Sequence, residues 1–404
     1  MAIEASGQKC KPDTIELFKG SSQYNLLGDF LTDISKGFNA HGYKTVTIDF
    51  FDTGWPQQLY KVISTCNIAF YFSMNGHGGN DVILNGKKFE EFANAPMFSF
   101  YVDHPCGLIS RIDNDLDNQV VSFVDSTHVD FMNTFTETKK PCSKIFIPHG
   151  GSVCNKDIVT RPIVDRKIDI LFAGSYSDPD NIRKAWLSSN VSALLDAVSE
   201  SALFESNKPL IQVFVDVFEL NGIDTNLLRD RSAWCFLRAV DSYVRAKRRK
   251  LVLESFSDLN VQVYGSGWNE FPSSGSKSKI VIKDSINFTE IQDKMADSKI
   301  VLNILPYFTD GGHERIFSSM LAGAVCLSDE NRYLSANFQN GENILLYNLK
   351  DSNYPTRISK FLDDPYMLQD IADKGNEIAK KKHTWSNRAE QILQAVEVHN
   401  ASRQ

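Results

Sequence analysis

The residues from Asp310 to Asp329, DGGHERIFSSMLAGAVCLSD, bring together the groups needed to hold an anion. Gly311 and Gly312 let the backbone come close to a ligand. His313, Glu314 and Arg315 open a predicted helix, whose free N–H groups and positive dipole end favour negative charge. The Arg315 guanidinium adds a planar fork of donors that matches phosphate oxygens. His313 is a further donor. Asp310, before the turn, either caps the helix or holds ligand hydroxyls. The segment reads as a strand end, a Gly-Gly turn, a helix, an Ala-Gly stop and a buried strand from Ala324 to Leu327. It predicts a site for a diphosphate or a comparable anion.

Other residues could join this chemistry. Gly174 and Ser175 end one apolar strand, and Gly265 and Gly267 end another. Glycine there serves either close ligand approach or a plain turn. Trp268 is placed to stack on a base or to fill the core. In the first half, His77 lies in NGHGG, and Asp103-His104 follow a buried strand. Any of the three could take a proton from a hydroxyl near neutral pH. The structural alternative is a glycine turn for His77 and an extended segment before Pro105 for His104. His149, in IPHGG, is read as lining a hinge.

Two patterns carry less weight. Asp113-Asn114-Asp115 spaces two carboxylates as in some divalent-cation sites, but it sits in the polar run IDNDLDNQ. A hard cation needs convergent oxygens, so no metal is expected. The basic run Arg245, Lys247, Arg248, Arg249 and Lys250 is read as the wet face of a helix whose Leu237, Val240, Val244 and Leu251 point inward. Peripheral contact with anionic membrane lipid is the other reading of it.

These residues need elements to position them. Thr14 to Phe18, Tyr43 to Phe51, Ile68 to Ser73, Met97 to Val102, Val120 to Val124 and Lys144 to Ile147 read as short buried strands. Helices are expected from about Tyr24 to Ala40, where Leu26, Phe30, Ile34 and Phe38 form a stripe, and from about Gln57 to Thr65. A second set begins at Ile168. It runs through Leu237 to Phe256 (helix), Val261 to Tyr264, Ile280 to Ile282, Phe288 to Ala296 (helix), Ile300 to Leu305 and Ala324 to Leu327. The polar stretch Cys154 to Arg166 marks the boundary, and Ser273 to Lys279 a solvated loop. Short buried strands alternating with helices predict an α/β protein with two doubly wound parallel sheets facing across a cleft. The expected division is 1–165 for an acceptor domain, 166–382 for a donor domain and 383–404 for a C-terminal helix packing back on the first.

The totals agree with two domains for 404 residues. A net charge of −7 argues against broad nucleic-acid binding. The N-terminus lacks the charged-then-apolar layout of a signal peptide. Seven scattered cysteines, without a C-x-x-C pair, fit reduced thiols and offer no zinc spacing. A cytoplasmic protein is expected, in places at the inner face of a membrane.

Three segments carry a family resemblance: DILFAGSY (Asp169 to Tyr176), VQVYGSGW (Val261 to Trp268), and GGHERIFSSMLAGAVCLSD with the tail KHTWSNR (Lys382 to Arg388). The region from about 168 to 395 resembles the nucleotide-sugar domain of GT-B glycosyltransferases, and most of all the CgeB-like group. The first half adds a YVDHP segment, Tyr101 to Pro105. The resemblance implies a glycosyltransferase that moves a sugar from a nucleotide-activated donor to a hydroxyl acceptor. The acceptor would be a glycan, a lipid-linked sugar or a protein, in bacterial surface glycan or glycoconjugate synthesis. No cofactor or metal would be needed. The better-known retaining pattern has two glutamates, the second of which binds the ribose. With the stop aligned at Gly323, Asp310 falls at the first position and Ser318 at the second. The acid is kept once and lost once, which leaves open a binding protein without transfer activity.

Overall fold

In the computed structural model, residues 13–22, 26–80, 82–152, 161–186, 189–272 and 278–403 are described. The expected helix start at Tyr24, the boundary residues from Cys154 to Thr160, most of the loop from Ser273, and Cys10 lie outside them.

The first sheet has six parallel strands: β1 (Thr14–Lys19), β2 (Lys44–Asp49), β3 (Ile68–Met74), β4 (Met97–Tyr101), β5 (Gln119–Phe123) and β6 (Ser143–Phe146). Their order is β2-β1-β3-β4-β5-β6. The central strands are buried almost throughout, because helices cover both faces of a parallel sheet. Helix α1 (Leu26–Ala40) buries Leu27, Phe30, Leu31, Ile34 and Phe38 in one stripe. Helix α2 (Trp55–Thr65) starts with Pro56 in its first turn, where a missing N–H costs nothing. Helix α3 (Ser126–Thr134) is capped by Asp125.

The second sheet contains β7 (Ile168–Ala173), β8 (Val261–Tyr264), β9 (Ile280–Lys283), β10 (Ser298–Asn303), β11 (Val325–Asp329) and β12 (Leu345–Tyr347). Its order is β9-β8-β7-β10-β11-β12, all parallel. The order reverses between β7 and β10, which opens a crevice at their carboxyl ends. Three residues of β12 are too few to show a period in the sequence, so the sixth strand is legible only here. The strand expected over Ile300 to Leu305 stops at Asn303, and a loop occupies 304–313. Pro306 and the left-handed Tyr307, φ 51°, break the extended run.

Between β7 and β8 the chain inserts three long helices: α4 (Ser189–Leu203), α5 (Leu210–Leu220) and α6 (Trp234–Ser255). They pack on Tyr101, Ile112, Phe123 and Phe131 of the first domain, forming one apolar cluster. Arg231 crosses to Asp113 at 2.7 Å. Helices α7 (Phe288–Ala296) and α8 (Glu314–Leu321) flank the cleft. After α9 (Pro365–Lys382), helix α10 (Trp385–Ser402) leaves the second sheet and packs on α1, with Ala389 against Gly37. His399 ties its far end to Ser143 and Asn118, each at 2.8 Å. No helix among the described residues is long and apolar enough to cross a membrane.

Candidate active site in the interdomain cleft

The cleft between the sheets contains two connected hollows. One, about 280 Å³, lies over β7 and β8 and is lined by Gly174, Ser175, Gly265, Arg249, Glu314 and Arg315, among others. The other, about 570 Å³, lies between the domains and is lined by Asn75, His77, Asp103, Arg111, Arg245 and His313, among others. Arg249 and Glu314 line both.

Cations gather on the second-domain side. The Arg315 guanidinium donates to Asn303 Oδ1 at 3.1 Å and stands 5.7 Å from the Phe172 ring centroid. Arg249 donates to the Ser175 carbonyl and lies over the same ring at 5.6 Å. Burial, then the neighbouring Arg315 and Arg245, pull the Arg249 guanidinium down to about 9. Its Nε is buried with no partner among the described residues. Like charges packed this closely repel, and an anion between them removes the cost. Glu314, buried beside them, accepts from Ser318 Oγ at 3.2 Å, and burial raises its carboxyl pKa. His313 caps α8: its Nδ1 accepts from the Arg315 N–H at 3.3 Å, so its proton sits on Nε2. Burial and the nearby Arg315 hold this imidazole well below its usual range, hence neutral at pH 7.

Two glycines make the floor. A Cβ on Gly265, whose φ is 157°, would stand 2.2 Å from the Gly174 carbonyl oxygen. The Gly174 N–H in turn donates to the Tyr264 carbonyl at 2.9 Å. The two turns therefore lock together side by side at the strand ends. Gly267, φ 81°, seats the chain against the Tyr176 carbonyl, 2.1 Å from where a Cβ would be. Trp268 is buried beneath these turns, donates to the Gly174 carbonyl at 2.8 Å and packs on Tyr176. Gly267 and Trp268 thus shape the floor from below.

The remaining residues of the glycine turn have other partners. Asp310 Oδ2 accepts from Ser126 Oγ of the first domain at 2.6 Å. Gly311 pairs with Asp125 in an antiparallel bridge, where a Cβ would stand 2.2 Å from the Val124 carbonyl oxygen. Gly312 sits against the Phe317 ring. Ser318 is buried and accepts from the Ser152 N–H at 3.1 Å. Asp310, Gly311 and Ser318 hold the domains together. Asp125, fully buried, is the centre of that latch: one oxygen accepts from the Thr309 and Asp310 N–H groups, at 2.8 and 2.9 Å, and the other from Thr127.

On the first-domain side, Asp103 is exposed in the cleft, and its Oδ2 accepts from Asn75 Nδ2 at 3.0 Å. Asn75, left-handed at φ 54°, also accepts from the Val102 N–H, and its carbonyl accepts from Arg111 at 3.0 Å. His77 Nε2 lies 3.3 Å from the same guanidinium. His104 turns away: its Nδ1 accepts from the Cys106 N–H, and its ring packs on His128 at 4.5 Å. His149 lies in the cleft floor, bonded to the Gly150 carbonyl and packed on Phe30 and Trp385. The tail residues His383 and Arg388 pack beneath it, with Arg388 donating to the His149 carbonyl at 3.0 Å.

The basic run departs from the wet-face expectation. Arg248 is buried and donates to the Ala202 and Leu203 carbonyls, while Arg245 and Arg249 point into the cleft. Helix α6 is covered on opposite sides by the two domains, so little of it stays wet. The usable signal was Asp241, Arg245 and Arg249, four apart on one face. Asn75 and Arg111 gave no comparable signal. Asp113 spends both oxygens on the Lys139 N–H and Arg231. Among the described residues, no group of three or more His, Cys, Asp or Glu is arranged to hold a metal.

Residues 247–394 match the glycosyl transferase-like family. The chain is similar in structure to a sucrose-phosphate synthase from Thermosynechococcus elongatus, at 10% identity and a TM-score of 0.54, covering 96% of this chain and 100% of that one. It is also similar to an alpha-glucosyltransferase solved with UDP and a DNA containing a HMU base, at 10% identity and a TM-score of 0.52, covering 96% and 99%. No curated protein sequence matches the chain. At these identities the likeness establishes the two-sheet fold.

Proposed function

From a chain of GT-B fold whose residues 247–394 are glycosyl transferase-like, we propose a glycosyltransferase that moves a sugar from a nucleoside-diphosphate donor to a hydroxyl acceptor, in glycan or glycoconjugate synthesis. The observation that carries it is the pairing of Arg249 and Arg315 above the locked Gly174 and Gly265 turns. The diphosphate lies between the two guanidiniums, near the first N–H groups of α8. There the protein neutralises the charge that grows on the leaving phosphate. No metal is required for that task.

The sugar extends into the larger hollow beside His313 and Glu314. Asp103, oriented by Asn75, faces it from the first domain. The acceptor hydroxyl gives its proton to the Asp103 carboxylate as its oxygen bonds to the anomeric carbon. The bond from that carbon to the phosphate oxygen breaks, and the diphosphate leaves with the electron pair. His77, whose Nε2 faces the Arg111 guanidinium, lines the same hollow.

The test is a thermal-shift screen with UDP, GDP, dTDP, ADP and CMP, followed by hydrolysis of the matching sugar nucleotides. A ligand that binds the folded state raises its melting temperature. One of the four diphosphates is expected to do so, and Arg249→Ala to abolish the shift; a shift with CMP alone would overturn the diphosphate reading. A chain that binds none of the five and cleaves none of their sugar conjugates would overturn the reading.

A further inference from the structure

A third cavity, about 300 Å³, opens where the inserted helices meet the first domain. Its volume lies at the lower end of the roughly 300–1,000 Å³ typical of ligand sites. It is distinct from the two hollows over the second sheet, yet it shares Asp103, Ser242, Arg245 and Pro306 with the larger of them. A molecule held in it would present one end to Asp103.

Resting on the proposed transfer reaction, we infer that this chamber is the acceptor subsite, and that it holds one neutral sugar ring. Charges in its wall are balanced. Asp241 sits 3.4 Å from Arg245 on successive turns of α6, and Arg238 lies one turn before Asp241. A balanced wall of carboxylates and guanidiniums suits vicinal hydroxyls, which donate to one and accept from the other. Apolar side chains, among them Leu108, Leu210, Leu237 and Phe308, supply a dry surface for the C–H face of a ring. His128 and Tyr307 also line the wall, both as buried side chains. Tyr307 is held at φ 51°, a strained conformation for an aromatic residue. Paired opposite charges, an apolar face and an opening at Asp103 point to a chamber shaped for a hydroxylated ligand rather than for packing alone.

The shape of the chamber supplies a clean test. A Cβ on Gly107 would meet nothing within 4 Å, and Gly107 lines the chamber and not the donor hollows. Gly107→Phe therefore adds a large side chain at the chamber's lining with little strain. Arg238 is exposed, so Arg238→Ala removes one polar group from the rim. The probes are the methyl glycosides of glucose, galactose, mannose and N-acetylglucosamine, followed by saturation-transfer NMR on the full chain. At least one is expected to bind the wild type, to lose its signal in Gly107→Phe and to bind at least fivefold more weakly in Arg238→Ala. Free-protein melting temperatures report whether each variant is folded. If no glycoside binds, or if binding persists undiminished in folded Gly107→Phe, the chamber is not a sugar site. That failure is separable from failure of the transferase reading, which would show as no nucleotide binding and no donor cleavage in the wild type.

Discussion

The two walls of the cleft solve different problems with similar strand ends. On the second-domain wall, cations are fixed before any ligand arrives: Arg315 by Asn303, Arg249 by the Ser175 carbonyl. On the first-domain wall a carboxylate is exposed and aimed by one amide, Asn75. A wall that must stabilise developing negative charge gains from rigid, partly desolvated donors, because their field is not screened by water. A wall that must accept a proton needs a group whose charge remains solvated and available. The proposed reaction puts the phosphate on the second-domain wall and the proton on the first-domain wall.

The largest expected effect tests the rigid wall. Arg315→Ala should lower sugar transfer by about 1,000-fold, the upper range for removing one preorganised donor, with the circular dichroism spectrum unchanged. Turnover within a factor of a few of wild type would remove Arg315 from the charge-stabilising role. On the other wall, Asp103→Asn should lower transfer by about 100-fold and leave nucleotide thermal shifts intact. If His77→Gln has the larger effect, the proton goes to the imidazole instead.

The geometry between the walls depends on the latch. Asp125→Ala strands the Thr309 and Asp310 N–H groups in the interface and should cost about 3 kcal/mol of stability, since each buried unpaired donor costs about 1–3 kcal/mol. Chemical denaturation measures it, and an unchanged midpoint would show that the domains hold together without the Asp125 latch.

A smaller effect with opposite sign lies behind the first wall. Glu16, fully buried in β1 with neither oxygen partnered among the described residues, is pushed from 4.5 up to about 8 by burial. The folded chain then holds this proton more tightly than the unfolded chain does. The group therefore costs stability as pH rises from about 4.5 to about 8, and nothing below that window. Glu16→Met should stabilise the protein by about 2 kcal/mol at pH 7, and the gain should vanish near pH 4. A gain independent of pH would mean that packing, not the charge, is responsible. Smallest of all, Trp268→Phe should change nucleotide affinity by less than about twofold, because the indole supports the glycine turn from below through a single hydrogen bond. A larger loss would place that ring against the base.

Much of the architecture was legible. Ile68–Met74 and Met97–Tyr101 read as strands because residues buried on both sides of a parallel sheet form continuous apolar runs. The sequence was informative where local rules suffice: the His313 cap, an arginine in the first turn of α8, and glycines at strand ends. It misled where identical local signals serve different neighbours. Gly265 and Gly311 both forbid a side chain, but the first borders the donor hollow and the second is pressed against Val124 of the other domain.

The sequence by itself determined the two sheets, the helix capped by His313 and the arginine in its first turn, because these follow from periodicity, capping and residue chemistry within a few turns of chain. Only the tertiary structure decided that Arg245 and Arg249 enter the cleft, that Asp310 and Ser318 serve the domain interface, and that His104 lies behind Asp103 rather than beside it. Those outcomes depend on which surface of α6 and of the 304–313 loop is covered by the other domain. Contacts between residues more than a hundred positions apart leave no period in the sequence to announce them.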